Sequence, residues 1–164
     1  MLMTEDTREM LNRLLQLLFD GNARIDNFVY NLSYHHKNNL AEAMHKPVAH
    51  ELPVWADMIS DKMDELNARQ VRYGLSDHTE ELNTVEVFEG LYNYFNSLRI
   101  NVNKAIEEAD DNGDAEVRIF LEDFLNNKVT RFYKQAEEWL DAAKRLNEDT
   151  LNIHIADYTH YLKK

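Results

Sequence analysis

Residues 84–125, TVEVFEGLYNYFNSLRINVNKAIEEADDNGDAEVRIFLEDFL, contain two amphipathic segments and the turn that joins them. In the first, Val87, Leu91, Tyr94, Phe95, Leu98, Val102, Ile106 and Ala109 recur at three- and four-residue steps, the period of a helix with one buried face. Thr84 with Glu86 just beyond it reads as the cap that opens this helix. It ends at Asp110-Asp111-Asn112-Gly113, where Gly113 can turn left-handed and Asp114 can cap the next helix. That next stripe runs through Val117, Phe120, Leu121, Phe124, Leu125, Val129, Phe132, Ala136, Trp139, Leu140 and Ala143.

The same period extends toward the N-terminus. Thr4 followed by Glu5 and Asp6 predicts a capped helix from about 5 to 37, with Leu11, Leu14, Leu15, Leu18, Ile25, Phe28, Val29 and Leu32 on one face. Gly21 lies inside it, at a cost of ~1 kcal/mol relative to Ala, which points to close packing or a bend. Residues 38–52 read as a connection with a short helical piece at Leu40 to His45. A second long helix is expected from near Pro53, with a kinked start near Pro47 as the alternative. Its stripe of Trp55, Ile59, Lys62, Leu66, Arg69 and Tyr73 carries it to Gly74 as the C′ residue. After a break at 147–150, Leu151 to about Tyr161 forms a short amphipathic helix.

Four long helices without strand-like alternation predict an all-α fold, a four-helix bundle with a short C-terminal helix, in one domain spanning residues 1–164. Length leaves the connection between the second and third helices open between a turn and a crossover. Ten extended residues reach about 36 Å, and a 25-residue helix is about 38 Å long.

Composition narrows the chemistry. The chain has no cysteine, so thiolate metal sites, disulfides and cysteine nucleophiles are excluded and any metal must be held by His, Asp or Glu. Lysine and arginine number 18 against 30 aspartates and glutamates, and the net charge of −12 favours cations over nucleic acid. The terminal Lys163-Lys164 is too small a basic patch to bind DNA. The N-terminus lacks the basic and apolar regions of a secretory signal, and the run Leu14–Phe19 is too short to span a bilayer, so a cytoplasmic location is expected.

Asp61 and Glu65 lie at i and i+4, on one helix face, with Asp57 one turn earlier, as a hard-cation or di-iron site requires; a solvated acidic face is the plainer reading. His35 and His36 point about 100° apart on a helix and suit dipole stabilisation at its C-terminus or one contact to a neighbouring subunit. With His45 and His50 they form a group of four histidines across the connection, enough for a weak transition-metal site. Asp110, Asn112 and Asp114 resemble the start of a calcium loop, but Ala115 and Leu121 stand where its glycine and glutamate belong, which leaves a helix–turn–helix connection. His154 and His160 do not share a face and read as surface residues.

The stretch from Val87-Phe88-Glu89 through Ile106-Glu107-Glu108-Ala109 and Gly113-Asp114 to Phe120-Leu121-Glu122-Asp123-Phe124-Leu125 resembles the third helix, turn and fourth helix of ferritins. Asp64-Glu65-Leu66-Asn67-Ala68-Arg69, ending at Gly74, is similar to the second helix of the Dps-type (starvation-protection) branch. The resemblance covers most of residues 50–140 and implies a ferritin-like bundle forming a homo-oligomeric shell that binds and stores iron, with a ferroxidase centre between subunits. Carried over by position, His35 or His36, His50 and Asp64 match that centre's ligands, while its glutamate is Ala68 and its other acidic position falls near Val54. The classical ferritin centre fares no better, with its third-helix glutamate near Phe95 and its fourth-helix ligands replaced by Asn, Lys or Thr around 127–130. The expectation is an iron- or divalent-metal-binding protein with an incomplete oxidation centre and at most weak ferroxidase activity. The alternative is a non-catalytic bundle used for protein interaction or regulation, favoured by those missing carboxylates.

Overall fold

The computed structural model describes residues 1–162; the Lys163-Lys164 pair lies outside the described residues. Among them the chain is helical without a strand. Helix α1 spans Glu5–Tyr34, α2 Asn38–Met44, α3 Glu51–Glu65, α4 Thr84–Asp111, α5 Ala115–Phe124, α6 Thr130–Arg145 and α7 Glu148–His154. One turn of π-helix, His45–Ala49, joins α2 to α3, and another, Leu125–Val129, joins α5 to α6. The bundle's four rods are therefore α1, α2–α3, α4 and α5–α6, and α7 with a 3₁₀ turn at Ile155–Tyr158 is the short terminal piece.

The second rod begins earlier and ends earlier than its sequence pattern predicts. From its start at Asn38 the rod takes in both prolines, Pro47 in the π-turn and Pro53 in the first turn of α3. The rod stops at Glu65 because Asn67 turns left-handed (φ 56°), and the Ala68 N–H then closes on the Met63 carbonyl at 2.8 Å. This is a Schellman ending, completed by burial of Ala68 against the core. Arg69 and Tyr73, expected on the buried stripe, are exposed, and Gly74 ends no helix.

The same motif ends two other helices. At α1 the left-handed residue is His36 (φ 61°), with the Lys37 N–H on the Leu32 carbonyl at 2.9 Å. At α4 it is Gly113 (φ 72°), with the Asp114 N–H on the Ala109 carbonyl at 2.8 Å. Helix α1 thus stops three residues short of the expected 37.

Residues 66–83 form no helix and decide the topology. They start beside the N-terminus of α1, where the Leu2 N–H reaches the Leu66 carbonyl at 2.8 Å, and finish beside its C-terminal half, where the Leu82 N–H reaches Asn31 Oδ1 at 2.8 Å. The segment is a crossover running the length of the bundle, so α4 starts at the end of the bundle where α1 finishes. A polar stripe of α1 receives it. Asn12 takes the Val71 N–H (2.8 Å) and donates to the Arg69 carbonyl (3.2 Å). Farther along, Gln16 donates to Gly74, Asp20 accepts from the Ser76 N–H, and Asn27 and Asn31 donate to Glu80. His78 meets Asp20 at 2.9 Å and the Arg72 guanidinium lies 3.6 Å over the Phe19 ring. An extended chain with no neighbouring strand needs such partners for its backbone.

The caps differ in detail from the sequence reading. Asn83, not Thr84, opens α4 through a reciprocal capping box with Glu86. Asp114 caps nothing of its own; its carboxylate accepts from the Thr4 N–H and both the Thr4 and Thr7 hydroxyls, tying the α4–α5 turn to the start of α1. The carboxylate of the calcium-loop-like stretch is thus engaged inside the chain. Asn147 caps α7, and Asn152 and Asp149 dock that helix on Asn39 and Lys37.

Candidate metal centre

Around Trp55 the interior of the bundle is built of rings. Trp55 of α3 lies edge-on to Phe132 of α6 (4.7 Å between centroids), Phe124 of α5 (5.6 Å) and Phe95 of α4 (6.2 Å). Leu18, Ile25, Leu52 and Leu98, all fully shielded, belong to the same core. Among the described residues the buried polar ones are Thr7, Asn12, Asn31, Thr84 and Gln135, none of them ionisable. A metal pair inside the bundle needs several carboxylates or imidazoles directed inward, and here that volume is filled by aromatic carbon. The interior does not fit such a centre.

Phe95, near which the resemblance places a third-helix glutamate, is 1% exposed. Asn127 lies in the second π-turn, faces solvent and donates to Asp123 at 2.6 Å. Ala68, assigned to a glutamate position on the second helix, lies beyond that helix in the Schellman ending described above.

The polar candidates are on the outside. His35 caps α1 and sets its ring against Tyr34 at 5.3 Å; His36 follows in the left-handed position; both are exposed. His50 ends the first π-turn beside His45, with ring centroids 4.4 Å apart. Asp61, Asp64 and Glu65 are exposed near the far end of α3. Glu65 pairs with Lys62 at 3.1 Å, and Asp64 accepts from Gln70 at 2.6 Å. Between His50 and Asp61 the rod rises about 16 Å, so one chain does not bring His50 together with Asp61, Asp64 or Glu65. Among the described residues no three His, Asp or Glu side chains gather in a way that could hold a metal ion.

Some structurally important polar groups carry no local sequence signal. Asp20 and His78 are 58 residues apart and meet only because the crossover lies on α1. Asn12, Asn27 and Asn31 of α1 likewise hydrogen-bond to the crossover segment, far from them in sequence. His160 meets Glu138 at 2.8 Å, and the 3₁₀ turn is fixed by the Gln135 side chain, which donates to the Tyr158 carbonyl at 2.7 Å.

No family model matches the chain, and no curated protein matches it. Solved structures do. An open pore ferritin from the hyperthermophilic archaeon Archaeoglobus fulgidus superposes with a TM-score of 0.86 at 15% identity, over 98% of this chain and 98% of that one. A form of the Archaeoglobus fulgidus ferritin engineered to be closed by site-directed mutagenesis gives 0.85 at 15% identity, over 98% and 97%. The chain therefore has the ferritin four-helix-bundle fold, crossover included. No described helix is long and apolar enough to cross a membrane.

Proposed function

We propose that residues 1–164 act as one ferritin-like subunit of a cytoplasmic homo-oligomer that concentrates and holds iron or a related divalent cation, without an oxidation centre inside each bundle. The ring cluster of Trp55, Phe95, Phe124 and Phe132 carries this reading, because it keeps the fold's packing and occupies the place where ligands would have to stand. Iron is cargo here, and the net charge of −12 draws cations to the surface.

A Dps-type arrangement fits the separation of the candidate ligands better than a centre within one bundle. His35 and His36 stand at the end of α1, His50 near the middle of the second rod, and Asp61, Asp64 and Glu65 at that rod's far end. Two copies packed so that one presents its histidines to the other's acids would unite them. Any ferroxidase activity would then be weak and dependent on assembly.

Sedimentation of the purified chain, followed by anaerobic loading with ferrous ion and admission of air, tests the reading. A large assembly that retains iron while oxidising it little faster than protein-free buffer is expected. Rapid oxidation by a dissociated monomer would overturn it. A second reading, a non-catalytic bundle for protein interaction, is favoured by the same apolar interior and would be supported by an assembly or dimer that takes up no metal.

A further inference from the structure

The first π-turn has a geometry with its own chemical consequence. Residues five apart on an α-helix point about 140° away from each other. In the turn His45–Ala49 the His50 N–H bonds to the His45 carbonyl at 3.1 Å, an i→i+5 closure that adds one residue to the turn. His45 and His50 therefore stand on the same face, rings edge to face at 67° with centroids 4.4 Å apart. His45 is half-buried and His50 exposed. Neither imidazole is engaged in a hydrogen bond or ion pair, unlike His78 and His160. His45 also lines, with Glu42, Ser33 and Asn38, a shallow cleft of about 280 Å³ where α2 leaves the end of α1.

We propose that this π-turn is a two-histidine site for a divalent transition metal of the zinc, nickel or copper class, its remaining coordination positions filled by water. Imidazole nitrogen selects these ions over magnesium and calcium. Both ligands are on one closed turn of a rod, so little further ordering is needed when the ion bridges them. The chain's net charge of −12 raises the concentration of cations at its surface. The site lies within a single chain and shares only His50 with the iron-holding reading, none of whose other groups it needs.

Titration of the full chain with zinc chloride in a calorimeter tests it. One site per chain is expected, insensitive to excess magnesium, and weakened at least tenfold by either His45→Gln or His50→Gln. His36→Gln and His160→Gln should leave it unchanged. Equal loss in the His36 variant, or no loss in the His45 and His50 variants, would overturn the proposal. If the π-turn variants fail to fold, the spectrum of the copper-loaded unmodified chain decides: two coordinated imidazole nitrogens are expected, and one alone would overturn it.

Discussion

The Tyr94 phenol lies directly against the backbone of Gly21, in the space that a Cβ there would occupy, and its hydroxyl donates to the Leu17 carbonyl at 2.9 Å. The glycine lets α1 and α4 approach this closely, so it marks close packing and not a bend. Burial pushes the phenol well above its ordinary range, which keeps it a protonated donor at physiological pH. Gly21→Ala should therefore destabilise the fold by about 1–3 kcal/mol through overpacking, despite Ala being the better helix former. In a Tyr94→Ala background the same change should stabilise. Urea unfolding of the two single variants and the double variant would reveal that reversal.

Asn12 and Asn31 each clamp one donor and one acceptor of the crossover backbone while almost wholly buried. Asn12→Leu should cost about 1–3 kcal/mol, because the Val71 N–H and Arg69 carbonyl lose their partner. The loss should be local as well as global. Hydrogen exchange at Val71 and its neighbours should accelerate while amides in α4 keep their protection.

His36 and Asn67 hold left-handed conformations that glycine adopts without cost. Replacing His36 by Gly should raise stability by about 1 kcal/mol, and Asn67→Gly by less, since Asn tolerates that region. Thermal unfolding of the metal-free chain measures both. If His36 is also a ligand, the more stable variant should bind less metal, which separates its structural position from a chemical role.

Lys37 and Asp149 join the terminal helix to the end of α1 at 2.7 Å. The hydrogen bond from Lys37 holds the Asp149 carboxyl below its ordinary value of 3.8, so this docking contribution is present above that value and lost as pH falls through the lowered one. Asp149 in turn holds the ammonium above 10.5, so its contribution is present below 10.5 and lost as pH rises through the raised value. The methyl NMR signals of buried Leu151 should shift with acid in the unmodified chain, and that step should disappear in Asp149→Asn. Added salt should narrow the difference between the two chains, since the pair is exposed.

Much of the fold was legible before any coordinates. The α4 and α5–α6 stripes, read as Val87 to Ala109 and Val117 to Ala143, are the buried faces found, with only Ile106, Phe120, Leu125 and Leu140 less than fully covered. Gly113 takes the left-handed position its place in the turn suggested. The end of the second rod was not legible. Asn67 adopts that conformation without being glycine, and the continuing Leu66–Arg69–Tyr73 spacing imitates another turn of helix. That Asp64 and Glu65 close the second rod was hidden by the helix boundary that the sequence pattern placed at Gly74.

The sequence by itself determined which residues avoid water, since apolar side chains recur with the helical period wherever a rod has a buried face, and it determined that no thiol chemistry is available. Tertiary structure decided what the polar side chains do. An asparagine on α1 has the same chemistry whether it meets solvent or a backbone amide some fifty residues away, so only the path of the crossover shows which. It also decided that His45 and His50 share a face, because one additional residue in a helical turn changes the direction of every side chain after it while leaving the composition unaltered.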